Sequence, residues 1–266
     1  MNTLLKNIKF YQVDAFTDQP FKGNPAAICF LDEELSTETM LQIAAENNLA
    51  ETAFVQKLAD GFNLRWFTPT VEVQLCGHAT LATSHILWQE GILKAEETAR
   101  YHTLSGLLTA KKKGEWIEID LPAKGNKPVD VPEDVLAALQ VQPINTAYAD
   151  RYIIEVETPK EVENIKPDFS ILKHHEMVIV TSKGAASSPY DFVSRTFGPS
   201  VGVDEDPVTG SSHCCLAPYY ATLLNKTQFF AYQASERGGE MKLELKGDRV
   251  LLSGHAVTLI SGTLMI

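Results

Sequence analysis

Short stretches of alternating or continuous apolar residues, separated by polar turns, run through most of the chain and predict strands. In the first half, they lie at residues 8–16, 25–31, 52–57, 63–68, 104–110 and 115–120. In the second half, they lie at residues 150–157, 177–182, 190–197, 228–234, 240–246, 249–253 and 256–265. Residues 121–148 contain four prolines and are interpreted as a crossover between the halves. The pattern predicts many strands and few helices.

Three segments have a helical pattern. Residues 36–48 predict a surface helix, with Ser36 as its N-cap and apolar residues at helical spacing. The segments from Gly77 to about Trp88 and from Ser211 to Leu224 carry few charges and many small residues, which predicts that each is buried inside its own half. Pro218 is expected to kink the second of these helices.

An internal repeat connects the two buried helices. "RWFTPTVEV" at 65–73 and "RTFGPSVGV" at 195–203 match at Arg, Phe, Pro and two Val positions. A polar stretch follows each copy, longer by three residues in the second, and a glycine and a helical segment come next. Gly77 and Gly210 therefore occupy equivalent places. This pattern predicts a duplication that produced two similar halves.

The repeat suggests where the halves begin and end. The first half is predicted to span residues 1–121 and the second residues 122–255, with the last strand, 256–266, as a candidate addition to the first half. Because small ligands usually bind in clefts between domains, the active site is expected between the halves.

Composition limits the classes of partner. The chain has 266 residues, of which 44% are hydrophobic and 21% charged, which is ordinary for a soluble globular protein. The formal net charge of −11 argues against nucleic acid or an anionic membrane as a partner. The basic cluster at 111–113 is interpreted as a solvated hairpin edge.

The cysteines and the absence of a targeting pattern predict a cytoplasmic protein. The chain has four cysteines, two of them adjacent, and no C-x-x-C pair, so neither a disulfide framework nor a structural zinc site is supported. We find no signal peptide and no apolar run long enough to span a bilayer. Reduced, buried thiols are the expected state.

The two glycine turns are candidate anion sites. The first turn of a helix has unpaired backbone N–H groups and the positive end of the helix dipole, which together favour a carboxylate or a phosphate. The alternative is that each turn is only a helix cap. In the acidic turn before Gly210, Asp204 and Glu205 are expected to be solvated loop residues. His213 either orients Asp206 or is a structural histidine.

Several separated motifs resemble one known family. They are "VDAFTDQPFKGNPAAICFL", "NNLAETAFV", "RWFTPTVEVQLCGHATLA", "GVDEDPVTGSSHC" and "QASERGGEMKL". In this order the sequence resembles the PhzF-like proteins of the phenazine-biosynthesis group, which share the fold of diaminopimelate epimerase. The resemblance implies an α+β fold of two pseudo-symmetric halves, each a curved, mostly antiparallel β-sheet or barrel around a central helix. It also implies a homodimer that needs no cofactor and no metal.

The resemblance further implies an isomerase in which a carboxylate moves a proton. The family's N-L-S-E motif matches "NLAE" here, so Glu51 is the candidate general acid and base. Burial in an enclosed site is expected to raise the pKa of Glu51 and to let it take and return a proton. His78 and Asp206 match the other catalytic positions and are expected to hold polar groups of the substrate.

Six further residues are candidates for substrate binding by the same resemblance. They are Asn24, Cys76, Gly77, Thr209, Gly210 and Ser211. The N–H groups of the two glycines and of Ser211 are expected to receive a carboxylate of the substrate. Cys76 matches one of the two catalytic thiols of diaminopimelate epimerase, but Thr209 stands where the second would be, which argues against two-thiol racemisation.

Three functions are compatible with these residues. The first is a cofactor-independent isomerase or epimerase that moves a proton on a small carboxylate. The second is a non-catalytic member of the fold that binds a metabolite or another protein. The third is a metal hydrolase that uses Cys76, His78, His213 and Cys214, although adjacent residues on a helix point in different directions. No phosphate loop or dinucleotide fingerprint is present in the sequence.

Overall fold

The computed structural model describes residues 6–266. Its strands are β1 (Asn7–Ala15), β2 (Asn24–Leu31), β3 (Glu51–Leu58), β4 (Gly61–Phe67), β5 (Glu72–Val73), β6 (Ala99–Thr103), β7 (Gly106–Lys113), β8 (Trp116–Pro122), β9 (Lys127–Pro128), β10 (Asn145–Tyr148), β11 (Tyr152–Glu155), β12 (Val178–Lys183), β13 (Phe192–Gly198), β14 (Val203–Asp206), β15 (Gln228–Gln233), β16 (Gly239–Lys246), β17 (Arg249–Gly254) and β18 (Ala256–Met265). Its α-helices are α1 (Thr37–Asn47), α2 (Gly77–Gln89), α3 (Glu133–Leu139), α4 (Pro159–Asn164), α5 (Phe169–Leu172) and α6 (Gly210–Leu224), and a 3-10 turn spans Pro199–Val201. Residues 1–5 lie outside the described residues. They belong to the predicted first half and to the stretch in which no signal peptide was found.

The chain divides into two compact units. The first unit contains the residues up to Phe21, Pro25–Asp120 and Gly254–Ile266. The second unit contains Lys22–Asn24 and Leu121–Ser253. Each unit therefore includes one stretch of chain that is distant in sequence from the rest of it.

In the first unit, the strands follow the order β18, β1, β2, β3, β4, β6, β7, β8, and β5 forms a short additional pair with β4. The β2–β3 and β4–β6 pairs are parallel. The β18–β1, β3–β4, β6–β7 and β7–β8 pairs are antiparallel. Helix α2 packs against β1, β3 and β18, and 11 of its 13 residues are buried. This confirms the predicted buried helix.

The second unit repeats this order. Its strands run β9, β10, β11, β12, β13, β15, β16, β17, with β14 as the short additional partner of β13. Again two pairs are parallel, β11–β12 and β13–β15, and the helix that precedes β15 is the long buried α6. From β2 to β8 and from β11 to β17, the two units have the same succession of parallel and antiparallel pairs, which confirms the α+β class with two pseudo-symmetric halves.

The strand register corrects the sequence alignment of the repeat. Phe67 pairs with Glu72 in the first unit, and Phe197 pairs with Glu205 in the second. The three extra residues therefore lie before Glu205 and not after it. The Arg and Phe matches of the repeat are structurally equivalent residues. The two Val matches are not, because Val73 pairs with Trp66 whereas Val203 pairs with Gly198.

The same register reveals an ion pair that occurs once in each unit. The Arg65 side chain donates to both carboxylate oxygens of Glu72 at 2.7 Å, and Arg195 donates to both oxygens of Glu205 at 2.7 and 2.8 Å. Each guanidinium also lies about 5 Å from the ring centre of the Phe two residues later. The expectation that Glu205 is a solvated loop residue was wrong, because this acid fixes β14 to β13.

Helix α1 follows its prediction, whereas the short strands β5, β6, β9, β10 and β14 were not predicted. The Ser36 hydroxyl accepts from the Thr39 N–H at 3.1 Å, so the predicted N-cap is confirmed, and the buried residues of the helix are Met40, Ile43 and Ala44. Strands β10 and β14 have four residues each, which is too short for a recognisable alternation. The region read as a crossover, 121–148, contains α3, β9 and β10 as well.

Candidate active site

Glu51 is placed by the junction of α1 and β3. Helix α1 ends at Asn47, its C-cap Asn48 adopts the left-handed conformation, and the chain then enters β3 with Glu51 as its first residue. The Asn47 side-chain amide donates to the Thr52 hydroxyl at 3.1 Å, which ties the end of the helix to the strand. The Glu51 side chain is 20% exposed, so the carboxylate is held by a rigid element and still reaches the surface of the unit.

Cys76, Gly77 and His78 lie at the start of α2 and meet Glu51. His78 Nε2 is 3.2 Å from Glu51 Oε2, although no described residue makes a well-aligned hydrogen bond with this nitrogen. On the other side of the ring, His78 Nδ1 is 3.5 Å from Cys76 Sγ. The imidazole therefore stands between a thiol and a carboxylate, with a different nitrogen toward each.

Burial sets the protonation state of His78. The side chain is buried, and removal from water lowers the pKa of His78 to about 3. The imidazole is therefore neutral at pH 7, with one nitrogen protonated and the other able to accept. A neutral imidazole beside Glu51 can donate a hydrogen bond to the carboxylate or accept one from the carboxylic acid without placing a positive charge there.

The same three side chains are also a donor set for a metal ion. One ligand atom from each of Glu51, Cys76 and His78 lies within 4.8 Å of the others. A metal would use one ring nitrogen, however, whereas here the two nitrogens face different partners, so the arrangement suits proton transfer better. The metal-hydrolase hypothesis needed Cys76, His78, His213 and Cys214 as ligands. These four residues do not form a potential metal-binding cluster among the described residues.

Asp206 is the acid of the second unit. It ends β14 and is half-buried. Burial raises the pKa of Asp206 to about 6, while hydrogen bonds from Thr209 and Asn24 and the charge of Arg151 act in the opposite direction. A carboxyl group with a pKa of about 6 is populated in both protonation states near neutral pH, which suits general acid and base catalysis.

Asn24 lies in the same unit as Asp206 and holds it. Its amide Nδ2 donates to Asp206 Oδ1 at 2.6 Å and to the Val208 carbonyl at 2.9 Å. In this arrangement, the amide predicted to contact the substrate is committed to the acid and its turn. Arg237, from the hairpin between β15 and β16, donates to the carbonyls of Lys22 and Gly23 and fixes the loop that carries Asn24.

Asn24→Ala is expected to raise the pKa of Asp206 above about 6, because the variant loses a hydrogen bond that stabilises the ionised carboxylate. Titration of the side-chain carboxyl carbons by NMR measures this pKa directly. Asn47→Ala, which removes an amide of the first unit, serves as the control and should leave the Asp206 titration in place. An unchanged or lowered pKa in Asn24→Ala would contradict this role.

The start of α6 is built as an open helix end. Thr209 is the N-cap residue, but its side chain makes no capping hydrogen bond, and Gly210 and Ser211 follow as the first two helical residues. Gln233 organises this turn: its Oε1 accepts from the Thr209 N–H at 2.8 Å, and its Nε2 donates to the Asp206 carbonyl at 2.7 Å. The N-cap of α2, Cys76, likewise lacks a side-chain capping bond.

The predicted site residues thus form two groups, one in each unit. The first-unit group consists of Glu51, Cys76, Gly77 and His78. The second-unit group consists of Asn24, Asp206, Thr209, Gly210 and Ser211. Within each unit the residues come from separate elements that meet at the start of the buried helix.

Other candidate residues have structural roles. His213 Nδ1 is 2.8 Å from the Thr209 carbonyl and its ring stacks on Phe192, so this histidine belongs to the core. Burial raises the pKa of the Cys214 thiol to about 12 and that of the Cys215 thiol to about 11, which makes both unreactive at neutral pH.

Sequence reasoning missed Gln233 and Arg151. Gln233 is the first residue of the motif "QASERGGEMKL", but its role depends on the pairing of β15 with β13, which no local pattern reveals. Arg151 follows Asp150 in a turn and gave no motif. The sequence offered only one indication of a role for Arg151, which is its position directly before an apolar strand.

Comparison with known proteins identifies the family. The sequence profile of the phenazine biosynthesis-like proteins matches residues 13–262. An uncharacterized isomerase of Halalkalibacterium halodurans is 49% identical, over 96% of this chain and 98% of the relative. The human phenazine biosynthesis-like domain-containing protein is 36% identical, over 97% of this chain and 99% of the relative.

Solved structures agree. A crystal structure of a PhzF-family protein of Enterococcus faecalis superimposes with a TM-score of 0.93 at 40% identity, covering 98% of this chain and all of the other. A hydroxyproline epimerase of Agrobacterium vitis, at 10% identity and a TM-score of 0.61, shares the fold.

Among the described residues, no helix is long and apolar enough to cross a membrane.

The family profile covers most of the chain, and close relatives over nearly its whole length are named isomerases. The chain belongs to the phenazine biosynthesis-like (PhzF) family and is an isomerase.

Proposed function

We propose that this isomerase moves a proton on a small carboxylate without a metal or an organic cofactor, and that the first-unit and second-unit groups act on the same substrate. The observation that carries the proposal is the contact of Glu51 with a neutral imidazole, 3.2 Å away. A carboxylate that must take and return a proton benefits from a neighbour that donates or accepts a hydrogen bond as its charge changes.

Glu51 carries the chemical step in this proposal. Its carboxylate removes a proton from a carbon of the substrate, and the electron pair of that C–H bond moves toward the substrate's carboxylate or unsaturated system. Glu51 then returns the proton to another carbon on the same face of the substrate, whereas inversion at the first carbon requires a second acid on the opposite face. His78 Nε2, 3.2 Å from Glu51 Oε2, is proposed to donate a hydrogen bond to the carboxylate while it is charged.

Negative charge builds on the substrate oxygens as the proton leaves. The open first turns of α2 and α6 offer backbone N–H groups at the positive ends of two helices. Oriented donors of this kind stabilise developing negative charge without having to reorganise during the reaction. Asp206, with its pKa of about 6, is proposed to hold or protonate a polar group of the substrate.

A deuterium-exchange screen tests this function. Small amino, hydroxy and unsaturated carboxylates are incubated with the wild-type protein in D2O and followed by proton NMR, with and without EDTA. Exchange at a carbon near the carboxylate, at a rate that EDTA leaves unchanged, is expected for at least one compound. Exchange that EDTA abolishes would contradict the cofactor-free mechanism. If one compound binds but no compound of the panel exchanges deuterium, the non-catalytic alternative is favoured.

The assembly and the location expected from the family resemblance are also part of the proposal. We propose a homodimer in the cytoplasm. Light scattering on the purified protein should then give a mass near twice 29.4 kDa, whereas the monomer mass would contradict the dimer. Fractionation of cells that express the protein tests the location.

A further inference from the structure

The last strand of the first unit, β18, forms one edge of its sheet. It is ten residues long and pairs with β1, whose other side pairs with β2. Residues 260–263 and 265 are exposed, so side chains on both faces of the strand reach solvent. In the part of the chain that the structure describes, no strand covers the second edge of β18 over these residues, and we call it the open edge.

The hydrogen bonds of the ladder show which backbone groups point toward the open edge. Lys6 and Ile266 exchange both of their N–H···O bonds, at 2.6 and 3.0 Å. Such pairs alternate along an antiparallel ladder with pairs that make no bond to each other, so the even-numbered residues of 260–264 bond to β1. The bulge of this ladder, at residues 12–13, lies outside the stretch. The N–H and C=O groups that point away from β1 therefore belong to Ser261, Thr263 and Met265.

The open edge lacks the features that keep an exposed strand from pairing. Proteins usually protect such edges with charged side chains, with proline or by making the strand very short. The terminal strand of the second unit, β9, has all three features, because it consists of Lys127 and Pro128 alone. Residues 256–266, in contrast, contain no charged side chain and no proline. The composition of β18 therefore favours a partner strand.

A second copy of the same strand fits this edge. When a strand pairs with its own copy around a two-fold axis, like side chains approach each other, and any charge among them would be repelled. β18 has no charged side chain, although the whole chain has a formal net charge of −11. With the axis at Thr263, Ser261 lies opposite the partner's Met265. All outward backbone groups of the three residues are then hydrogen-bonded.

We propose that β18 is the dimer interface of this protein, where it pairs antiparallel with β18 of a second copy around an axis at Thr263. The inference rests on the homodimer of the proposed function and deepens it, because it names the surface through which the copies meet. The side chains of Ile260 and Met265 are 49% and 67% exposed, and the pairing would cover apolar area on both.

Amide hydrogen exchange measured by NMR tests the pairing in the wild-type protein. In a strand with one open edge, only the amides that bond to the neighbouring strand are protected, and here they belong to residues 260, 262 and 264. In the proposed dimer, the amides of Ser261, Thr263 and Met265 are expected to be protected as well. The alternation between slow and fast amides should therefore be absent from residues 260–265.

Thr263→Pro separates the interface from the fold. Proline lacks the N–H that would reach the second copy, and edge strands tolerate it where that N–H faces outward, so the bonds to β1 remain. The variant is expected to weaken the dimer by about 100-fold, because each copy loses one hydrogen bond. Light scattering over a dilution series measures this change. Thr263→Val keeps the N–H and is the matched control, which should dimerise like the wild type.

The same exchange measurement shows whether the variant keeps its fold. In Thr263→Pro, the amides of residues 260, 262 and 264 should stay protected by β1, whereas those of Ser261 and Met265 should lose protection. In Thr263→Val, all amides of residues 260–265 should stay protected.

The outcomes separate this inference from the proposed function. A wild-type dimer whose Ser261, Thr263 and Met265 amides exchange freely would show that the copies meet at another surface, which refutes the interface and leaves the homodimer standing. Unchanged dimerisation of Thr263→Pro leads to the same conclusion. A monomeric wild type would refute both, including the case in which another part of the same chain protects the outward amides. The proton transfer is tested separately, by deuterium exchange into the substrate.

Discussion

Glu51→Gln is expected to lower the rate of deuterium exchange into the substrate by about 10²- to 10⁴-fold, the usual contribution of a general acid and base. The amide keeps nearly the shape of the carboxyl group but neither accepts nor returns a proton. His78 remains at the start of α2, and its low pKa of about 3 makes it a poor base, so it is not expected to replace Glu51 in proton transfer. The loss should appear in kcat, with little change in substrate binding.

A matched control separates chemistry from general damage. Glu46→Gln makes the same substitution on the exposed side of α1, five residues earlier, and should exchange deuterium at the wild-type rate. Exchange by Glu51→Gln within a few-fold of the wild type would remove Glu51 from the mechanism. In that case the Cys76 thiol, 3.5 Å from the other nitrogen of His78, would be the next candidate base.

Glu205→Ala is expected to lower the free energy of unfolding by about 3 kcal/mol, because it leaves a buried guanidinium without its carboxylate. Arg195 is 9% exposed, and Nε and Nη2 both donate to Glu205. Its Nη1 bonds to backbone carbonyls, such as that of Ile165 at 2.8 Å, and keeps the cation in place after the acid is removed. The unpaired charge is therefore trapped inside the second unit.

Urea unfolding followed by circular dichroism measures this effect. The exposed pair of Lys6 and Glu33 supplies the control, because Glu33→Ala removes an acid from an ion pair that solvent screens, and the unfolding midpoint should hardly move. The matched pair in the first unit, broken by Glu72→Ala, should behave like Glu205→Ala with a smaller loss, since Arg65 is more exposed than Arg195. Equal midpoints for Glu205→Ala and Glu33→Ala would contradict a structural role for the pair.

The fold was predictable where the spacing of apolar residues along the sequence matches the burial of those residues in the structure. The low charge of the segment from Gly77 to Trp88 indicated a helix buried on all sides, and the structure buries 11 of the 13 residues of α2. The repeat indicated two similar units. Its register was not predictable, because the equivalence of Glu72 and Glu205 comes from strand pairing across a three-residue insertion, and the chance match of two Val residues concealed it.

The site was predictable in part for a similar reason. Glu51, His78 and Asp206 stand in recognisable local motifs, and the structure places them at the start of β3, at the start of α2 and at the end of β14. The supports of these residues come from distant parts of the chain. Asn24 reaches Asp206 across 182 residues of sequence, and Arg151 reaches Ser212 across 61, so no local pattern contains these contacts.

The central claim is that Glu51 in one unit and Asp206 in the other serve one proton transfer on one carboxylate. Deuterium exchange on the first compound found to react tests it most directly, with the wild type, Glu51→Gln and Asp206→Asn measured side by side. The account predicts that both variants still fold and that each loses most of the exchange. Wild-type exchange by either variant would show that its carboxylate is not needed and would contradict the claim.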